Sequence, residues 1–207
     1  IKKPIFVIPN PLSAEWEKSA RTVRNRRKVR KSLVVLTITR IVPGKGVDLL
    51  IQAMPLLPKT VHLLVAGDGS QLEIVKKRVK SLGIKTRVRF VGWVSEDEKQ
   101  RLIDEADIFC LPSSYDSFGM GFLEAMANGL PVVALDWGPI SDVISNERAG
   151  ILIRDRDPQQ LSDAIARMMD SDFRQCMGDA AKQWVLEQFS AREAGKLLRA
   201  MFENVAG

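Results

Sequence analysis

The chain has only two cysteines, Cys110 and Cys176, and one histidine, His62, among its 207 residues. Neither cysteine stands in a metal-ligand spacing, so a disulfide framework and a zinc centre built from Cys and His are both excluded. No run of about 18 apolar residues occurs, which excludes a membrane-spanning helix. Acidic residues are outnumbered, 25 against 31 Lys and Arg, for a net charge of +6. That surplus is local. Lys18, Arg21, Arg24, Arg26, Arg27, Lys28, Arg30 and Lys31 supply eight positive charges, and without them the rest of the chain carries 6 − 8 = −2. No aromatic residue interleaves with this cluster, so it lacks the stacking platforms expected of a nucleic-acid site. Two readings of 18–31 stand: a solvated helix or loop leading into the first strand, or a dock for phosphate or an anionic membrane face. The chain opens on Ile1 without a secretory signal pattern. It is expected to be a piece of a longer protein cut at a domain boundary, cytoplasmic and at most lying at the inner face of the membrane.

What is present suits a globular core: 45% hydrophobic and 27% charged residues support one large domain or two small ones. A β-like run, Ile5–Ile8, ends in the linker Pro9-Asn10-Pro11. Runs rich in β-branched and aliphatic residues predict strands over Leu33–Arg40, His62–Ala66, Arg87–Val91, Asp107–Leu111, Pro131–Leu135 and Gly150–Ile153. Between them, helical spacing predicts helices over Gly46–Leu57, Ser70–Leu82, Ser95–Ala106 and Gly121–Ala127, and a helical turn over Gly138–Ile144. Ser95 with Glu98 three residues on forms a capping box. A helical tail follows over Pro158–Met169, Phe173–Phe189 and Ala191–Val205. Strands alternating with helices of about a dozen residues call for a parallel sheet covered on both faces, a doubly wound Rossmann-like α/β domain. Ligands of such sheets bind beyond the carboxyl ends of the strands, so the strand-to-helix loops are the places to search.

Four loops carry candidate chemistry. In Arg40-Ile-Val-Pro-Gly-Lys45-Gly46 two cations emerge at the ligand edge and suit a diphosphate, although a capped turn with two surface charges explains them equally. The spacing is not that of a Walker loop. Gly67-Asp68-Gly69 fails the dinucleotide fingerprint because Leu72 holds the third glycine position, and reads as a tight turn. Gly92-Trp93 allows a flat ligand such as a nucleobase to approach the backbone, or else Trp93 is a core or interface aromatic. The longest loop runs from Pro112 through Asp116, Gly119 and Gly121 to Glu124. It leads into a helix whose free amides favour an anion. Glu124, assigned to the first turn and so kept ionised by the helix dipole, can accept two ribose hydroxyls. Asp116 lies where a sugar on the diphosphate would sit. Alternatively, Glu124 only complements the helix dipole and Asp116 only caps a turn.

The stretch PSSYDSFGMGFLEAMANGLPVVALDWGPISDVI resembles the donor-binding motif of retaining family 4 glycosyltransferases with the GT-B fold. RIVPGKG is similar to that family's arginine–lysine diphosphate clamp, and HLLVAGDG and RVRFVGWV follow in the family's order. The resemblance covers roughly Leu33 to Phe189. It implies transfer of a hexosyl unit from a nucleoside diphosphate sugar (UDP- or GDP-linked) to a glycan or lipid-linked acceptor, without a cofactor or metal. It implies that Arg40 and Lys45 bind the diphosphate and stabilise its departing charge, and that Glu124 holds the ribose. The backbone of Phe118, Gly119, Met120 and Gly121 would face diphosphate or sugar, and Gly92 and Trp93 would meet the base. Asp116 replaces the first glutamate of the family's E-x7-E pattern and is one methylene shorter.

The resemblance also implies a division into a lead-in over 1–32, a donor-binding domain over 33–189 and a C-terminal helix over 190–207. The acceptor-binding domain would precede them, so the fragment alone is expected to bind donor without efficient transfer. Asp155-Arg156-Asp157 resembles a metal-binding D-x-D but precedes Pro158 and a helix, and reads as turn and N-cap chemistry. His62, within VHLLV, reads as a core or surface residue. Competing readings are an epimerase or phosphorylase of the same architecture, a non-catalytic nucleotide-sugar module, and a dinucleotide oxidoreductase, the last opposed by the failed glycine fingerprint.

Overall fold

The computed structural model describes residues 5–21, 32–145 and 147–206. Six strands form one parallel sheet: β1 (Leu33–Ile38), β2 (Val61–Ala66), β3 (Val88–Gly92), β4 (Ile108–Leu111), β5 (Val132–Leu135) and β6 (Gly150–Ile153). Their spatial order is β3-β2-β1-β4-β5-β6. The central strands are apolar on both faces because both are covered, as parallel sheets require. In β1, Leu33 and Val35 enter one core while Val34 and Leu36 enter the other.

Helices α1 (Ala14–Arg21), α2 (Val47–Ala53), α3 (Leu72–Ser81), α4 (Glu96–Glu105), α5 (Met120–Ala127), α6 (Ile140–Val143), α7 (Pro158–Arg167), α8 (Ser171–Gln188) and α9 (Ala191–Ala206) complete the described elements. One face of the sheet is packed by α2, α3 and α7, the other by α1, α4, α5 and α6. Ser95 caps α4 in the expected capping box, accepting from the Glu98 N–H while the Glu98 carboxylate accepts from the Ser95 N–H. Among the described residues no helix is long and apolar enough to cross a membrane.

Three differences from the sequence reading have physical reasons. The run Ile5–Ile8 forms no strand: Ile5 and Val7 lie exposed, and β-propensity without a partner edge does not make a strand. The helix expected from Ser70 starts at Leu72, because the loop before it is pinned to the loop after β1, with the Ile41 N–H donating to Asp68 O and the Gln71 N–H to Ile41 O. Lastly, α1 is anchored by Trp16 and Ala20, which are buried with Leu12 in the same core as α5 and α8. Of the basic cluster, Lys18 and Arg21 close α1, while residues 22–31 lie outside the described residues.

Candidate functional site

After β1 the chain crosses to β2 on one side, and after β4 it crosses to β5 on the other. The two outgoing loops therefore diverge, and a crevice opens above the carboxyl ends of β1 and β4, the switch point where doubly wound sheets hold ligands. Backbone and hydroxyl contacts stitch the two loops at its floor. The Ser114 N–H donates to the Gly44 carbonyl at 2.8 Å, and the Ser113 hydroxyl reaches the same oxygen at 3.3 Å. Gly46, at φ 80°, lies against Pro112 so closely that a Cβ would fall 2.2 Å from the Pro112 carbonyl oxygen. Only glycine permits this approach.

The stitching delivers Lys45 to Asp116. The ammonium lies 2.9 Å from Asp116 Oδ1 and donates to the Tyr115 carbonyl at 2.6 Å. Both side chains are withdrawn from water, at 12% and 15% exposure. The other carboxylate oxygen, Oδ2, is sealed from solvent and has no hydrogen-bond partner. Arg40 is exposed at the same edge and forms no ion pair or hydrogen bond through its guanidinium among the described residues. The two residues expected as a cation pair thus differ: Arg40 is open, whereas Lys45 is committed to a carboxylate.

Helix α5 starts at Met120, one residue earlier than predicted, behind Gly119 in the left-handed region at φ 92°. A Cβ on Gly119 would meet the Phe122 ring at 2.8 Å. The first amides of α5, including those of Met120 and Gly121, have no acceptor within the helix. Beneath them Phe109 and Phe122 meet edge to face at 5.5 Å, and Phe118 packs on Phe189 at 6.0 Å.

Glu124 lies on the second turn of α5, beyond the reach of the helix dipole, which acts over one turn. Contrary to the expectation from the sequence, the helix dipole does not keep Glu124 ionised. Burial is the largest influence and raises its pKa above the ordinary carboxylate range, with Glu96 adding to the shift and Lys99 opposing it. Lys99 Nζ lies 3.0 Å from Glu124 and 2.9 Å from Glu96. The Lys99 pKa is raised even though burial, the largest influence, lowers it, because two carboxylates outweigh the burial; among the described residues Glu124 has one cation to set against its own burial. A cavity of about 230 Å³ opens here, lined by Ile38, Lys99, Ile103, Phe109, Met120 and Glu124.

Gly92 closes β3, two strands from β1, and Trp93 follows it. Gly92 adopts φ 87° with open space where a Cβ would be, and Trp93 is 78% exposed, so it is not a core aromatic. His62 is half-buried and pairs in register with Val34, toward the opposite end of the sheet from these loops. Asp157 caps α7 by accepting from the Gln159 and Gln160 amides, and Asp155 accepts from the Gln160 side chain.

Sequence reading missed two cations. Arg156 spans from the loop before α7 to Asp48 at 3.2 Å and the Ser114 hydroxyl at 3.3 Å, a link between distant segments that no local pattern announces. Lys99 could have been found: it lies one helical turn before the buried pair Leu102 and Ile103, so helical spacing turns it inward.

Comparison with known proteins agrees with this fold. The family model described as glycosyl transferases group 1 matches residues 19–184. An uncharacterized glycosyltransferase of Methanocaldococcus jannaschii is 30% identical over 182 residues, 86% of this chain and 47% of the relative. A GDP-mannose-dependent alpha-(1-6)-phosphatidylinositol monomannoside mannosyltransferase of Mycobacterium tuberculosis is 32% identical over 178 residues, 81% of this chain and 46% of the relative. The chain spans about half the length of these curated relatives. Among solved structures, the HepE protein of Anabaena in complex with UDP and glucose matches with a TM-score of 0.76 at 22% identity, over 94% of this chain and 53% of that one. A glycosyltransferase of Rickettsia africae matches with a TM-score of 0.80 at 19% identity, over 95% and 56%. The sheet order and a family match over most of the sequence converge: the chain belongs to the group 1 glycosyl transferases.

Proposed function

We propose that this chain is the donor-binding half of a retaining, family 4 glycosyltransferase that moves a hexosyl unit from a UDP- or GDP-sugar to a glycan or lipid-linked acceptor. Residues 33–189 form the donor domain in this reading, and the acceptor site belongs to the part of the protein by which its relatives are longer. The observation that carries the reading is the Lys45–Asp116 pair in the loop that leads into the α5 amino terminus, with Glu124 one turn further along α5.

In this arrangement the diphosphate lies against the Met120 and Gly121 amides, with Arg40 and Lys45 opposing its charge. Such pre-placed cations stabilise the leaving group as the bond from the sugar C1 to the phosphate oxygen breaks, its electron pair staying on phosphate. Lys45 lies between this charge and Asp116, so it ties the leaving group to the carboxylate nearest the sugar hydroxyls. Glu124 accepts from the ribose hydroxyls in the cavity above Phe109, and Gly92 with Trp93 offers a flat surface to the base. The basic stretch 18–31 is offered to an anionic, cytoplasmic membrane face, where each Lys or Arg near the surface contributes about 1 kcal/mol.

Calorimetric titration of the chain with UDP, GDP, ADP and NAD, with and without magnesium, tests the reading. Binding of one nucleoside diphosphate at about micromolar affinity, independent of magnesium, is expected. Binding of NAD, or of none of the four, overturns it.

A further inference from the structure

Lys99 touches three separate parts of the fold at once. Its ammonium bonds Glu124 on α5 at 3.0 Å and Glu96 on its own helix at 2.9 Å, and it stands 5.5 Å from the centre of the Trp16 ring on α1. Both members of the pair with Glu124 are nearly withdrawn from water, at 16% and 14% exposure. A second route joins the same helices. The Ser19 hydroxyl of α1 bonds Asn128 Oδ1 at 2.9 Å, and the Asn128 amide donates to the Glu124 carbonyl at 2.8 Å. Glu124 is thereby held at both its carboxylate and its backbone by contacts that run back to α1. An ammonium over a tryptophan face, shielded from water, is itself favourably placed.

We infer that Lys99 is a positioning residue for nucleotide recognition: seated on Trp16, it keeps the Glu124 carboxylate ionised and aimed into the cavity as an acceptor for ribose hydroxyls. The inference rests on the ribose reading of Glu124 given above. Among the described residues, the charged groups facing that carboxylate are Lys99 and Glu96, both from α4, while β1 and β4 present Ile38 and Phe109. Without Lys99, burial and Glu96 would act on Glu124 unopposed and favour its protonated form, which accepts hydrogen bonds poorly. Lys99 would then matter most at low pH, where Glu124 takes up a proton, and less as rising pH restores the carboxylate.

The test is calorimetric titration of Lys99→Met, Lys99→Arg and Glu124→Gln with UDP and GDP and with their 2′,3′-dideoxy counterparts, from pH 6 to 8.5. The wild-type to variant affinity ratio is read, because the ligand's own titration cancels in it. For Lys99→Met the ratio is expected to exceed one at the acid end and to shrink toward one as pH rises, because the carboxylate is restored in both proteins. The dideoxy nucleotides should show no such loss, and Lys99→Arg should restore binding at every pH. A Lys99→Met loss that is independent of pH, or equal for ribose and dideoxy ligands, would mark a merely structural role and overturn the inference. If Glu124→Gln weakens UDP or GDP while Lys99→Met does not, the Lys99 role alone fails. If Glu124→Gln binds as the wild type does, the ribose reading falls and takes the inference with it.

Discussion

Replacing Lys45 by Met should expose how strongly the crevice depends on one ion pair. The substitution keeps the hydrocarbon stem and removes the ammonium, so it leaves Asp116 withdrawn from water with neither oxygen paired and the Tyr115 carbonyl without its donor. Removing one partner of a buried pair costs about 3–5 kcal/mol. With both side chains still 12–15% exposed, the lower end applies, about 3 kcal/mol. In a chain of this length each kcal/mol moves the melting temperature by about 2–4 °C, so Lys45→Met should melt about 6–12 °C lower. The companion Asp116→Asn removes the opposite charge, and the double variant removes both. Replacing both partners together is nearly neutral, so the double variant should be more stable than Lys45→Met alone. Urea denaturation of the four proteins, followed by tryptophan fluorescence, gives the coupling energy of the pair, expected to exceed about 1.5 kcal/mol. If the two single losses simply add in the double variant, Lys45 and Asp116 do not stabilise one another and the reasoning fails.

Three further outcomes are expected. Arg40→Ala should leave the unfolding free energy from urea denaturation unchanged within about 0.5 kcal/mol, since its side chain is exposed and unengaged among the described residues, yet weaken UDP binding more than UMP binding; equal losses would place Arg40 away from the second phosphate. Asp157→Ala should destabilise the fold by about 1 kcal/mol through the lost α7 cap while Asp157→Asn stays close to wild type, and chemical denaturation that ranks them the other way would refute the capping role. A water-soluble maleimide should modify the exposed Cys176 in the native protein and reach Cys110 only on unfolding, because Cys110 is fully buried and burial strongly raises its thiol pKa; rapid labelling of both, read by mass spectrometry, would contradict that burial.

The basic stretch 18–31 shows where composition reaches its limit. Its charge is plain from the sequence, but the same charges fit a solvated approach to β1 and a membrane-facing surface. The described part settles one point: α1 is anchored by Trp16 and Ala20, two small cues in an otherwise polar segment. One aromatic and one alanine a helical turn apart are too sparse a signal to distinguish a docked helix from a linker.

The sequence by itself determined the strands, the helices and the loops that could carry chemistry. Apolar, β-branched runs bounded by glycine-rich turns are local signals, and they marked all six strands of the sheet within a residue or two. Gly44, Gly46 and Gly119 likewise announced tight loops at one sheet edge. Which side chains meet was decided only by the tertiary structure. Lys45 and Asp116 lie 71 positions apart and pair because β1 and β4 are neighbours at the switch point. Glu124 owes its setting to burial and to Lys99 on another helix rather than to the dipole of its own. A carboxylate's charge state follows from what surrounds it, and those surroundings are assembled from chain segments that no local periodicity connects.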